Sequence, residues 1–333
     1  VTAQTAIASS PADHSAPRRR ILLVGGSLNQ TTMVHKVARQ LDEHECVFTP
    51  YYADGILRWA AEREWLGFTI LGGRPRAMSE AFLRSERAAI DYRGETGRWD
   101  LVVTTSDLVV PRNLRGVPMV LVQEGMTDPE DWRYRLVRST GLPRWMANTS
   151  MTGLSHAYRA FCVASEGYRD LFVAKGVDPA KIEVTGIPNF DDCASFLRND
   201  FPHHGYVLGA TSCLRETWKP EDRRGFIRRC LEVADGRELL FKLHPNEDHD
   251  RARREIERLA PRALVFESGN TNHMIANCAA LVTRYSSVVY VAVALGKEVH
   301  ADVDEVTLRR LLPLQNGGTS ARRIADVCRR FLS

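Results

Sequence analysis

The chain has 333 residues, 44% of them hydrophobic and 26% charged, which is a globular composition on a length that suits two domains, each with its own core. Its 45 basic and 41 acidic side chains leave a formal charge of +4, too mild to argue for nucleic acid as a partner. Seven scattered cysteines (Cys46, Cys162, Cys193, Cys213, Cys230, Cys278 and Cys328) form no C-x-x-C pair, which argues against a disulfide framework or a structural zinc site and makes a reducing cytoplasm the expected setting.

Residues 1–17 are rich in Ala, Ser and Thr without a continuous apolar core, and read as a disordered leader rather than a signal peptide. No apolar run reaches the roughly 20 residues of a membrane helix. Arg18-Arg19-Arg20 would suit a peripheral contact with anionic lipid, although such a cluster more often only flanks a first strand.

Residues 21–24 are a short apolar run that stops at Gly25-Gly26-Ser27, and an amphipathic stretch follows over 31–41. Strand, glycine turn and helix open a doubly wound sheet. The full G-x-G-x-x-G pattern is missing, so no dinucleotide site is indicated. The glycines would let a ligand approach the backbone, while a plain tight turn is the simpler reading.

Residues 46–49 read as the next strand, and 58–68 and 79–92 as helices, with Gly72-Gly73 and Pro75 breaking the chain between them. Strands at 101–103 and 117–122 end in Thr104-Thr105-Ser106-Asp107 and in Gln123-Glu124-Gly125. Helical stretches follow near 131–140 and 144–158, then a strand at 160–163 and a helix capped by Ser165 and stopped at Lys175-Gly176. A strand at 182–184 leads into Thr185-Gly186-Ile187-Pro188-Asn189, which reads as the connection between domains.

The same rhythm restarts beyond it. Strands are expected at 206–209, 238–243, 264–266, 280–283 and 298–300, and helices at 221–233, 248–259, 270–277, 286–295 and 320–332. The fold class is therefore α/β, with two doubly wound parallel sheets: an N-terminal domain over 18–185, a C-terminal domain over 186–318 and a terminal helix within 319–333. In such sheets ligands bind beyond the carboxyl ends of the strands, which places a site between the two halves.

Lys242-Leu243-His244-Pro245 sits at one such end. Lys can meet a phosphate as a point charge, His can donate to a phosphate or ribose oxygen, and Pro stiffens the exit. Thr283-Arg284-Tyr285-Ser286-Ser287 opens a nearly all-apolar helix, where two hydroxyls would cap free N–H groups or share them with an anion. Thr211, Ser212 and Arg215 follow the first strand of the second half and are further candidates for donor phosphates, or simply a polar loop. Glu124, at the end of a strongly apolar strand, is the candidate base for an acceptor hydroxyl, with partial burial raising its pKa. Asp107 is the reserve base, and Glu267 a weaker cleft carboxylate. No clear acidic pair or H-E-x-x-H motif occurs, so no metal or other cofactor is expected.

The order strand, K-x-H-P, helix, strand, helix, strand, T-x-Y-S-S and apolar helix resembles the C-terminal domain of GT-B glycosyltransferases. Within that fold it is most similar to the group holding CDP-glycerol glycerophosphotransferases and capsule polymer transferases, the bacterial polysialyltransferases among them. The passage from Lys175-Gly176-Val177 to Pro188-Asn189 also resembles the interdomain passage of GT-B proteins and of UDP-N-acetylglucosamine 2-epimerases. The resemblance spans roughly 160–299. It implies that His244, Ser286 and Ser287 hold the donor's nucleotide phosphates, that the terminal helix crosses back to the first domain, and that the partners are a nucleotide-sugar donor and a hydroxyl acceptor. Arg284 stands where relatives often carry Asp, which points to an added phosphate contact or to a different donor. A 2-epimerase or a CDP-alditol phosphotransferase is the alternative reading. No motif sets the oligomeric state.

Overall fold

The computed structural model describes residues 17–332 except 51, 52, 67, 68, 70 and 218. The expected leader, apart from Pro17, lies outside the described residues. The first half runs β1 (Arg20–Val24), α1 (Leu28–Ala38), β2 (Glu45–Thr49), α2 (Gly55–Glu62), α3 (Gly73–Ser85), β3 (Ala89–Ile90), β4 (Leu101–Thr104), β5 (Met119–Val122), α4 (Trp132–Thr140), β6 (Ala160–Val163), α5 (Glu166–Lys175) and β7 (Ile182–Val184). Its strands pair in parallel as one seven-stranded sheet, in the order β3-β2-β1-β4-β5-β6-β7.

The second half runs β8 (Val207–Ala210), α6 (Arg223–Ala234), β9 (Leu239–Lys242), α7 (His249–Leu259), β10 (Leu264–Phe266), α8 (Thr271–Asn277), β11 (Ala280–Val282), α9 (Val289–Ala294) and β12 (Glu298–His300), and then α10 (Glu305–Leu311) and α11 (Ser320–Arg329). Five strands form a second parallel sheet in the order β10-β9-β8-β11-β12.

β4, β5, β6, β8 and β9 are buried along their whole length. Continuous apolar runs behave this way when helices cover both faces of a parallel sheet. Ser165 caps α5 by accepting from the Tyr168 amide, and Gly176 ends it at a left-handed φ of 103°, both as the sequence suggests.

Several elements differ from expectation, among them α2, which starts at Gly55, and α10, which the sequence reading lacks. α3 includes Gly73 and Pro75, because proline costs nothing in a first turn whose N–H groups have no helical partner. It ends at Ser85, where Arg87 takes φ 53° and the chain turns into the short edge strand β3. The expected helix at 144–158 is a 3-10 segment over Arg144–Met151, interrupted by Asn148 at φ 53°. α9 starts at Val289, with Val288 at its cap position and no side-chain cap, so the two serines before it do other work.

The halves are tied along a broad seam. Lys36 Nζ donates to Pro188 O at 2.7 Å, and the Ser320 amide to Asp191 Oδ2 at 2.9 Å. The Tyr168 and Tyr290 hydroxyls meet at 2.6 Å in a buried setting. α11 packs against α1, and Arg329 pairs with Glu43 at 2.7 Å beside it. The last helix thus lies physically on the first domain.

Candidate active site

The strand ends of the first sheet open onto a cavity of about 580 Å³. Glu124, just past β5, lines it. The cause of its placement lies in α1. Ser27 caps that helix by accepting from the Gln30 amide at 3.2 Å, and Gln30 Oε1 accepts from the Ser27 amide at 3.3 Å, a reciprocal capping box. Fixing the Gln30 oxygen in this way points its Nε2 at Glu124 Oε2, 2.6 Å away. Asn29 Nδ2 and Ser27 Oγ each reach Glu124 Oε1 at 3.4 Å.

Burial raises the Glu124 pKa above the ordinary carboxylate value, and the three hydrogen bonds, Gln30 first, oppose that rise. Protein crowds the carboxyl on most sides, yet it keeps an opening to the cavity. Such a group holds a proton more readily than a surface carboxylate and can still exchange it with a molecule in the cavity.

Asp107 has no such opening. It is fully buried, and its two oxygens accept from the Gly153 and Ser155 amides, each at 3.0 Å. It pins a loop, so the reserve base is taken up structurally. The glycine turn is also occupied by packing. A Cβ on Gly25 would lie 2.6 Å from Thr31 Oγ1, and Gly26 O accepts from Ser79 Oγ at 3.1 Å. The turn is tight because α1 and α3 close on it, and a side chain at Gly25 would meet Thr31.

On the second sheet, His244 lies past the end of β9. Its amide donates to Glu247 Oε1 at 2.8 Å and to Thr211 Oγ1 at 2.9 Å. Its ring Nδ1 accepts from the Asn246 amide at 3.1 Å. With Nδ1 accepting, the neutral ring carries its proton on Nε2, which faces Cys213 Sγ at 3.9 Å. Burial first, then the Lys242 charge, pushes the pKa down to about 4, so the ring is a neutral donor at ordinary pH. Pro245 follows it, exposed.

Several basic groups expected on donor phosphates are engaged within their own domain. Lys242 Nζ, buried, donates to Leu243 O at 2.8 Å and Glu267 O at 3.2 Å. Arg215 grips Glu255 through two bonds of 2.8 and 2.7 Å and meets Glu221 at 2.9 Å. Glu221 also accepts from Ser212 Oγ at 3.0 Å and pairs with Arg223 at 3.1 Å. Arg223 in turn reaches Glu247 at 2.7 Å, and Glu247 is the acceptor for Thr211 Oγ1. Thr211, Ser212 and Arg215 therefore belong to a buried ionic scaffold under the His244 loop. Arg284 is drawn off to Asp302 at 3.0 Å. Glu267 lies on the surface with Arg253 at 2.6 Å, its pKa lowered by that bond.

The T-x-Y-S-S segment joins the two halves instead of capping α9. Ser287 Oγ accepts from the Met126 amide at 2.9 Å, and the Tyr285 hydroxyl donates to Thr127 O at 2.6 Å. Lys219 Nζ adds a pair with Asp128 at 3.0 Å. Gly125 makes this approach possible, since a Cβ there would lie 2.5 Å from Ser287 Oγ. Ser286 makes no side-chain hydrogen bond among those described, and its carbonyl accepts from the Val289 amide at 3.2 Å.

The cavity thus brings together Glu124 and Ser287 from the expected set, and leaves His244, Lys242, Glu267 and Arg284 outside its lining. Sequence reasoning missed Gln30 and Asn29, although the S-x-x-Q spacing of Ser27 and Gln30 is a visible capping signal. Among the described residues no three His, Cys, Asp or Glu side chains converge as a metal site.

No family model matches the chain, and no curated protein matches it in sequence. Solved structures do. The UDP-GlcNAc 2-epimerase from Neisseria meningitidis bound to UDP-GlcNAc superposes with a TM-score of 0.62 at 13% identity, covering 93% of this chain and 100% of that one. S. aureus MnaA in complex with UDP gives 0.56 at 11% identity, covering 94% and 97%. The wall teichoic acid polymerase TagF, in a structure with CDPG, gives 0.54 at 10% identity, covering 96% and 90%. At these identities the likeness is one of fold. The chain has the two-domain, GT-B-like architecture that its motifs imply, shared by enzymes of two different reaction types. Among the described residues no helix is long and apolar enough to cross a membrane.

Proposed function

We propose that the protein is a glycosyltransferase that moves a sugar from a nucleotide-sugar donor to a hydroxyl acceptor, with Glu124 as the base. One observation carries this reading: a carboxyl with a raised pKa, held by Gln30, opens onto a cavity of about 580 Å³ that Ser287 of the second half also lines. In the transfer the acceptor oxygen attacks the anomeric carbon and gives its proton to Glu124. The bond from that carbon to the donor's phosphate oxygen breaks, and its electron pair leaves with the nucleotide. The neutral His244 ring, with Nε2–H as donor, suits a phosphate or ribose oxygen on the second domain. The reading assigns no metal to the step, and closure of the domains would limit donor hydrolysis.

The 2-epimerase alternative asks for carboxylates on both sides of the sugar. The second-domain carboxylates at hand, Glu247, Glu221, Glu255 and Glu267, are each committed to an arginine. That favours transfer. A thermal-shift screen with UDP, CDP, CMP, GDP and dTDP selects the nucleotide, because a ligand of the folded state raises the melting temperature. Glu124→Gln should keep that shift and lose transfer. Conversion of UDP-N-acetylglucosamine without any acceptor would instead establish the epimerase reading.

A further inference from the structure

We infer that the acceptor is an apolar alcohol or phenol, and not a sugar chain or a polyanion; this inference rests on the transferase reading of the Glu124 cavity. Glu124 is the one charged side chain among the described residues of the lining; the other polar ones, Asn29 and Thr149 among them, are uncharged amides and hydroxyls. Most of the exposed wall is apolar, with Leu57, Leu66, Leu71, Leu108, Val109 and Trp145 in it. Among the described residues neither lysine nor arginine lines it. A phosphorylated or sialylated chain would bury its charge there without a cation, and charges buried unpaired are strongly disfavoured. A neutral sugar carries hydroxyls on all sides, and those facing the leucines would lose water without gaining a partner. One hydroxyl on an apolar body meets both Glu124 and the apolar wall at once.

The size agrees. A volume of about 580 Å³ lies within the range of roughly 300–1,000 Å³ that encloses compact apolar ligands. The shared side of the wall continues outward into a second groove of about 480 Å³, which holds Leu57, Leu108, Val109 and Trp145 in common with the cavity and runs to Ile56, 73% exposed. Arg112, Arg115 and Arg144 also line that groove, so the heparin arm of the test below asks whether an anion takes it instead. An acceptor longer than the cavity can leave its hydroxyl at Glu124 and lay its tail along this groove. Compact aromatic and extended prenyl alcohols share the chemistry, and length separates them.

The test uses the full chain and four probes: 2-naphthol, farnesol, a chitin oligomer and a heparin fragment. Calorimetry is expected to show binding of 2-naphthol or farnesol and none of the two carbohydrates. Farnesol binding that weakens in Ile56→Asp, with 2-naphthol unaffected, assigns the long acceptor; the reverse preference assigns the compact one. Leu108→Glu should weaken the apolar probe by about tenfold or more, on the scale of placing a charge against an apolar body. The half-buried Leu57, in Leu57→Asp, repeats the test where folding is less at risk, with the nucleotide-induced melting shift as the check that the fold is intact. Binding of either carbohydrate in place of the apolar probes, or apolar binding unmoved by both wall variants, overturns the inference. Apolar binding without transfer from any nucleotide-sugar would leave the cavity's ligand class standing and remove the transferase reading.

Discussion

Replacing Gln30 by Leu should uncouple Glu124 from its support, and the effect can be worked out before any substrate is known. The Gln30 amide donates to Glu124 at 2.6 Å, and its orientation is fixed by the bond its oxygen takes from the Ser27 amide. A hydrogen bond to a charged group contributes about 1.5–3 kcal/mol, so its loss should raise the Glu124 pKa further. The folded pKa of Glu124 already lies above its unfolded value. The folded protein therefore holds the proton longer, and Glu124's contribution to stability, fully present below the ordinary carboxylate pKa, is lost as pH rises through the folded one. Gln30→Leu extends that loss to higher pH. The assay is a double-mutant cycle of Gln30→Leu with Glu124→Ala by urea unfolding at several pH values, followed by fluorescence and circular dichroism together so that coincident transitions are verified. Coupling should approach about 1.5–3 kcal/mol at the alkaline end of the series, where the carboxylate is ionised, and shrink toward the acidic end. The single loss of the Ser27 contact is present in both arms and cancels. A coupling independent of pH, or one below about 0.5 kcal/mol, would refute the claim that Gln30 holds the ionised carboxylate.

Arg223→Met should cost about 3–5 kcal/mol in urea unfolding, because it leaves buried Glu247 without its cation while Glu221 keeps Arg215, whereas removing the exposed Arg309–Glu305 pair should cost less than about 1 kcal/mol. Gly125→Ala drives a methyl into Ser287 Oγ and should lower stability by about 1–3 kcal/mol; the double change Gly125→Ala with Ser287→Gly should recover part of it, and full additivity of the two would contradict the close approach. His244 has a folded pKa depressed to about 4, so its contribution is present above the ordinary imidazole value and lost as pH falls through about 4. His244→Gln should accordingly flatten the pH dependence of stability between about pH 6.5 and 4, by up to about 3 kcal/mol, and weaken nucleotide binding in calorimetry.

The fold was legible because its signals are local. An apolar strand such as β5, with residues 119–122 buried throughout, reads the same before and after folding, and Ser165 and Gly176 act within their own helix. Where the structure departs from the sequence reading, the deciding partner is remote. Lys242 looks like a phosphate ligand until β10 brings the Glu267 carbonyl beside it, and Arg215 until α7 supplies Glu255. Arg284 looks like a donor contact until Asp302 arrives beyond β12. Ser287 looks like a helix cap, and what claims its oxygen is an amide of the other domain, admitted by the missing side chain of Gly125. A basic residue at a strand end thus carries no assignment until the nearest carboxylate is located, since a buried charge takes whichever counter-charge the fold supplies. Glu124 is the converse. It finds amides and a hydroxyl but no cation, so its charge stays uncompensated, its pKa rises, and it keeps the chemical potential that the scaffold has neutralised elsewhere. That contrast with Glu247, Glu221 and Glu255, each paired with an arginine, is the physical reason for placing the chemistry on the first domain.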